Sequence, residues 1–182
     1  MRAAASPLVD THFRADIEGL RGVAVLLVVL AHAGVPFATG GFIGVDVFFV
    51  ISGFVITGVL GRELEHRSRI DFAAFYARRV RRLLPAFSAM VAVSALAAWC
   101  LLDPATWTLQ ARSGFWASIW SSNLFFGWSE IGYFDRQLDE SVFLHTWSLG
   151  VEEQFYLFWP LALLLAHRRL GAGTRAIRNA CL

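Results

Sequence analysis

Four long apolar runs set the terms for this chain. They lie at about 22–39, 42–60, 85–102 and 147–166. A helix that crosses a bilayer needs roughly 20 mostly apolar residues, and each run approaches that length. A fifth stretch, 113–128, is rich in Trp and Phe but also holds Ser and Asn, so its hydrophobicity is marginal for spanning. The composition agrees: 57% of residues are hydrophobic and only 16% are charged, against about 45–50% and about 25% in soluble domains. Disorder is excluded, and a soluble globule would lack the polar residues to cover itself. The expected fold is all-α: a polytopic transmembrane helix bundle of about four spans, plus one re-entrant or interfacial helix at 113–128. No repeat or linker divides residues 1–182, so one domain is expected.

Arginine placement orients the spans. All 16 basic residues are Arg, and basic residues collect in short cytoplasmic loops. Arg2, Arg14 and Arg21 precede the first run. The connection 61–84, read as a loop, holds Arg62, Arg67, Arg69, Arg78, Arg79, Arg81 and Arg82. The tail holds Arg168, Arg169, Arg175 and Arg178. Residues 103–145 carry only Arg112 and Arg136, against Asp103, Glu130, Asp135, Asp139 and Glu140. Four spans with both ends cytoplasmic satisfy this pattern. Ala31-His32-Ala33 before Gly34 has the look of a signal-peptide cleavage site, but Asp10, Asp16 and Glu18 stand where such a peptide would be basic. The two cysteines, Cys100 and Cys181, form no disulfide framework or zinc motif.

Ionisable residues at membrane depth are costly and point to function. Arg21 and His32 are eleven residues apart, which on a helix is three turns plus about 20°, or about 16 Å along one face. A neutral imidazole buried in the span can take a proton from a hydroxyl, and an arginine at its mouth suits a phosphate. A histidine hydrogen-bonded in the core, with Arg21 a topology anchor, accounts for the same spacing. Asp46 follows Gly40, Gly41 and Gly44; it can orient His32, pair with an arginine, or cap the second helix. His145, Ser148, Glu152, Tyr156 and Trp159 recur at helical steps and share a face, with Glu153 about 100° round. Two adjacent carboxylates in a span favour a functional reading. The arginines at 78–82 meet either anionic lipid or a phosphorylated ligand.

The ordered motifs resemble the membrane-bound acyltransferase family 3, the O-antigen acetylase type. The first string is Arg14-Ala15-Asp16-Ile17-Glu18-Gly19-Leu20-Arg21-Gly22, leading into Arg21-x10-His32. Then come Gly40-Gly41-Phe42-Ile43-Gly44-Val45-Asp46-Val47-Phe48-Phe49 and Arg78-Arg79-x-x-Arg82-x-x-Pro85. The last is Leu144-His145-Thr146-Trp147-Ser148-Leu149-x-Val151-Glu152-Glu153-Gln154-Phe155-Tyr156.

The resemblance implies an acyltransferase of the bacterial inner (cytoplasmic) membrane, with a cytoplasmic N-terminus. It implies that an acyl group, usually acetyl, passes from cytoplasmic acyl-CoA to a hydroxyl of a cell-envelope carbohydrate such as lipopolysaccharide or exopolysaccharide. Arg21 and His32 map onto the family's catalytic pair, and Arg78, Arg79 and Arg82 onto its CoA-phosphate motif. Ser148, Glu152 and Glu153 map onto its Ser-Leu-x-x-Glu-Glu string, while Asp46 or Glu152 would orient the imidazole. Neither a metal nor a nucleic-acid partner is expected. The family has about ten spans, often followed by an extracytoplasmic SGNH hydrolase-like domain, so this chain corresponds to the N-terminal part. Two other readings stand beside the enzyme: a proton-relay or transport module, and an inactive truncated remnant.

Overall fold

The computed structural model describes residues 14–128 and 141–170, and every regular element among them is helical. The helices are α1 (Ala15–His32), α2 (Ile43–Arg67), α3 (Phe72–Leu101), α4 (Trp107–Ser118), α5 (Ser122–Trp128) and α6 (Trp147–Leu170). Short 3-10 turns at Pro104–Thr106 and Leu144–Thr146 lead into α4 and α6. Among the described residues, α2 and α3 are long and apolar enough to cross a membrane. α1 carries Asp16, Glu18 and Arg21, and α6 carries Glu152, Glu153, Arg168 and Arg169. The orientation residues Arg2, Asp10, Glu130, Asp135, Arg136, Asp139, Glu140, Arg175 and Arg178, and Cys181, lie outside the described residues.

The chain forms two compact units, Met1–Gly53 and Phe54–Leu182, with the boundary inside α2. In the first, the α1 helix opens with Arg14 hydrogen-bonded to Asp16 at 2.9 Å, and this contact holds the Asp16 carboxyl down to about 2. The helix stops at His32 rather than running on to residue 39. Gly34 adopts φ +65°, and the Val35 and Gly34 amides bond back to Leu30 O and Ala31 O, a left-handed helix cap that only glycine adopts cheaply. Pro36 follows, and the helix cannot resume through it.

Glycines fix how α2 meets α1. A Cβ at Gly44 would collide with the carbonyl oxygen of Ala24, and one at Gly41 with that of Leu27. Ala24, Leu27, Val28 and Ala31 thus present a stripe of α1 on which the Gly-Gly-x-x-Gly segment lies backbone to backbone. In a bilayer, apolar contact between helices gains little over contact with lipid, so close packing through small residues is what holds them together.

The second unit is built around the C-terminal half of α2, the start of α3, and α6. Ile56, Leu60, Leu64, Ile70, Phe75, Tyr156 and Leu163 form its buried cluster. The arginine-rich connection expected as a loop is mostly helix: only 68–71 separate α2 from α3. Asp71 caps α3 by accepting from the Ala74 amide at 3.0 Å, and Glu63 of α2 accepts from the Asp71 amide at 3.1 Å. A capped start removes the need for the helix to begin at the membrane surface. At 30 residues, α3 is ~45 Å long, which exceeds the ~30 Å hydrocarbon core. Its arginine-bearing turns and its apolar half from Pro85 onward are therefore one rod.

The 113–128 stretch is two helices rather than one. The chain turns at Trp120, whose φ of 54° is left-handed. Its amide bonds to Ala117 O, and that of Ser121 to Trp116 O, both at 2.9 Å. With 12 and 7 residues, α4 and α5 are each shorter than a span. Serines and amides dock this pair to the segment entering α6. Ser141 Oγ donates to Ser113 Oγ at 2.9 Å, and Thr146 Oγ1 to Ser122 Oγ at 3.0 Å. The Val142 amide donates to Gln110 Oε1 at 3.1 Å. Asn123 and Gln154 exchange reciprocal amide bonds of 3.1 and 2.9 Å, and Gly150 leaves room for Asn123, since a Cβ there would stand 2.7 Å from its Oδ1.

The glycine contact predicts a graded effect. Gly44→Ala must push α1 away and should cost about 1–3 kcal/mol, whereas Gly22→Ala, with nothing within 4 Å, should be neutral or stabilising. Thermal unfolding in detergent checks this; equal behaviour of the two variants would show that the close approach does not hold α1 to α2.

Candidate functional site

Two sets of candidate residues stand in the structure, one in each unit. In the first, α1 is unbroken from Ala15 to His32, so Arg21 and His32 share a face as the spacing requires. Arg21 Nη1 meets Glu18 Oε1 at 3.2 Å, with 38% of its side chain exposed. His32 is exposed on the last turn rather than buried within a span. The reason is the Gly34 cap, which ends the helix at His32. Its Nδ1 lies 2.8 Å from Val28 O. A carbonyl only accepts, so Nδ1 carries the hydrogen and Nε2 keeps the lone pair in the neutral ring. Asp46 sits exposed in the first turn of α2. Among the described residues it bonds neither His32 nor an arginine, so the backbone of Val28 orients the imidazole.

In the second unit the structure joins two motifs that lie far apart in sequence. Arg79 Nη2 of α3 donates to Glu153 Oε1 of α6 at 2.6 Å, and the two side chains are 25% and 12% exposed. The Arg79 guanidinium also lies 3.3 Å above the Tyr156 ring. The Tyr156 hydroxyl donates to Glu152 Oε1 at 2.8 Å, and that of Tyr76 to Leu157 O at 2.9 Å. Both carboxylates of the Glu-Glu pair are therefore engaged, one by an arginine and one by a phenol. His145 lies in the 3-10 turn before α6, so the helical stripe begins at Ser148 instead.

The arginines part company. Arg78 and Arg82 are one helical turn apart and exposed, and neither has a hydrogen bond or ion pair among the described residues. Arg81 is exposed and donates to Ala77 O at 3.1 Å. Arg79 alone turns inward. Beside it is a cavity of about 260 Å³ lined by Tyr76, Arg79, Val80, Leu83, Ile119, Trp120, Ser121, Glu153, Gln154, Tyr156 and Leu157. Two nitrogens on these residues, Arg79 Nε and Trp120 Nε1, are shut off from solvent and have no hydrogen-bond partner among the described residues. Leaving a buried donor unpaired costs about 1–3 kcal/mol. Trp120 and the cavity escaped the sequence reading. The amide-rich string Ser121-Ser122-Asn123 was visible, but nothing in it marked a turn.

Comparison with known proteins decides the family. Residues 14–178 match the family described as Acyltransferase domain. The chain belongs to that family. Among its relatives, the peptidoglycan O-acetyltransferase OatA of Listeria monocytogenes is 38% identical over 82% of this chain and 24% of its own length. The O-acetyltransferase OatA of Staphylococcus aureus is 37% identical over 84% of this chain and 25% of its own length. A Komagataeibacter xylinus protein, provisionally named a membrane-bound transacylase, is 46% identical over 86% of this chain and 40% of its own length. This acyltransferase-family chain thus spans between about a quarter and two fifths of these relatives. No solved structure matches it at a significant level. With two helices long and apolar enough to cross a membrane among the described residues, and a relative named as membrane-bound, the family member is a membrane protein.

The Arg79–Glu153 contact predicts coupling. Glu153→Gln or Arg79→Gln should each cost about 1–3 kcal/mol of stability, because each leaves the partner unpaired in a mostly covered position. The double variant should cost less than their sum. Denaturant titration in detergent measures all three, and strict additivity would mean that the two charges do not interact.

Proposed function

We propose that this protein transfers an acyl group, in the first instance acetyl, from acyl-CoA on the cytoplasmic side to a hydroxyl of a cell-envelope carbohydrate. The bacterial inner membrane, with the N-terminus cytoplasmic, is the setting in which such a donor and acceptor meet. Membership in the acyltransferase family supports the reaction class. Relatives named for peptidoglycan O-acetylation support a glycan acceptor.

The observation that carries the reading is the state of His32. With Nδ1–H held by Val28 O, Nε2 is the nitrogen free to take a proton. As general base it would accept the proton of the attacking hydroxyl while that oxygen bonds to the thioester carbonyl carbon. The carbon–sulfur bond then breaks, and the proton passes to the departing thiolate. Arg21, about 16 Å away along the same helix face, would steady the donor. Asp46, exposed and without a partner among the described residues, is available to the acceptor hydroxyl.

Arg78 and Arg82 would hold the CoA phosphates, since their charges are not committed elsewhere. Arg79 would support them from behind by fixing α3 against Glu153. Glu152 and Glu153 then serve the site by positioning Tyr156 and Arg79.

Transfer of radiolabelled acetyl groups from acetyl-CoA to glycan, measured in membranes that contain the chain, tests the proposal. His32→Gln should lower transfer by about 10²–10⁴-fold at unchanged insertion. Near-normal transfer by an inserted variant would remove the base role. In the same assay, replacing Arg78 and Arg82 together by Gln should raise the donor KM and flatten its dependence on salt; an unchanged KM would assign these arginines to the lipid surface instead.

A further inference from the structure

The C-terminal ends of α2 and α6 meet at one end of the second unit, and their charges take no part in the chemistry above. The Trp159 indole of α6 donates to Thr57 Oγ1 of α2 at 2.9 Å, and Leu60 and Leu64 share a buried cluster with Leu163, so the two helices run parallel. Arg67 and Arg169 each lie ten residues past that bond, about 15 Å further along. The turn into α3 keeps Arg69 at the same end. Arg62, Arg67, Arg69, Arg168 and Arg169 are all exposed, and none has a hydrogen bond or ion pair among the described residues. The acids at this end are fewer: Glu63, Glu65 and Asp71. Glu63 is held by the Asp71 amide, and Asp71 by the Ala74 amide. A phosphate that approaches here meets net positive charge.

α6 adds an apolar track that leads to these charges. Phe158, Leu161 and Leu165 are 66%, 49% and 46% exposed. With Arg168 and Arg169 they fall within about 100° of one helix face. From Phe158 to Arg168 is ten residues, about 15 Å, half of a ~30 Å hydrocarbon core. The track lies level with the last apolar turns of α2, which is long and apolar enough to cross a membrane. Arginines at a membrane surface need only set topology, but that role requires nothing of the face beneath them. Occupants differ in how much of the surface they use. Inorganic phosphate would meet the arginines and leave the track empty. A zwitterionic lipid would fill the track but bring an ammonium that the arginines repel. A lipid with a net negative headgroup uses both parts, since guanidinium forks suit a phosphate and basic clusters beside a span attract anionic lipid.

We propose that the ends of α2 and α6 form a binding surface for an anionic phospholipid. Arg168 and Arg169, with Arg67 and Arg69 beside them, hold its phosphate, and an acyl chain lies along Leu165, Leu161 and Phe158. The surface is separate from Arg78 and Arg82. Their neighbour Arg79 is level with Glu153, and Arg168 is fifteen residues beyond Glu153, about 22 Å along α6. The proposal does not depend on acyl transfer. A lipid held only by the folded chain stabilises it in proportion to occupancy.

The test uses the full chain purified in detergent. Dioleoyl phosphatidylglycerol or dioleoyl phosphatidylcholine is titrated in while thermal unfolding is followed, and native mass spectrometry counts the lipid retained. Phosphatidylglycerol should raise the unfolding temperature saturably and stay bound, and phosphatidylcholine should do neither. Inorganic phosphate and glycerophosphoglycerol, which carry the charge without the chains, should leave the temperature unchanged. Arg168→Gln with Arg169→Gln should lower phosphatidylglycerol affinity by about 25-fold, roughly fivefold for each charge. The Lys pair at the same positions should keep most of it. Arg78→Gln with Arg82→Gln removes as much charge elsewhere and should lower affinity less than twofold. Four results would overturn the proposal: no retained lipid, equal stabilisation by the two lipids, the same gain from chainless phosphate, or equal loss in the two Gln pairs. The first three are read on the parent chain, so a variant that fails to fold does not shelter the idea.

Discussion

Hydrocarbon offers no hydrogen bonds, and that constraint governs this chain from backbone to site. A polar group at membrane depth must find its partner within the protein. The helical backbone answers this for the main chain. The side chains answer it one by one: Ser113 bonds back to Leu109 O at 2.8 Å, Asn123 and Gln154 satisfy each other, and the Trp159 indole donates to Thr57 Oγ1 at 2.9 Å. Arg79 and Glu153 follow the same rule with full charges. Among the described residues three buried nitrogens are left without a partner, Arg79 Nε, Trp120 Nε1 and His167 Nδ1, and the first two belong to residues that line one cavity.

Much of the helical content was legible, because apolar runs carry their own signal. α6 begins at Trp147, where the fourth run begins, and α2 and α3 contain all but one residue of the second and third. The exact reach of the helices was less legible. The end of α1 was written in Gly34 and Pro36, a turn signal lying inside an apolar stretch that outweighed it in the reading. The helical state of 61–84 depended on Asp71 capping one helix while Glu63 tied the turn to the other. A run of arginines reads as a loop when charge is taken as a boundary, yet arginine is a good helix former. The break at Trp120 had no glycine or proline to announce it.

Of the candidate residues, helical geometry alone placed Arg21 with His32, since both depend only on one unbroken helix. The pairing of Arg79 with Glu153 was out of reach, because it depends on how two helices separated by 74 positions come together. Sequence grouped Arg78, Arg79 and Arg82 by likeness. Structure sorts them by direction: 78 and 82 share a face and stay exposed, and 79, about 100° away, meets α6. Adjacent identical residues thus take different work from helical phase alone.

The contacts between α3 and α6 also fix their sense. Tyr76 meets Leu157, and Arg79 meets Glu153; as one number rises the other falls, so the helices run antiparallel here. Each helix holds a proline beyond this zone, Pro85 in α3 and Pro160 in α6. In an antiparallel pair these prolines lie on opposite sides of the contacts. Each removes a backbone donor, from the carbonyls of Arg81 and Tyr156 respectively, and makes a point where a helix bends at low cost. The zone holding the ion pair, the Arg79–Tyr156 stack and the cavity wall is therefore pinned between two places of weakness. A bend at Pro85 would move the apolar half of α3 and leave Arg79 on Glu153, because the contact lies on the N-terminal side of the proline.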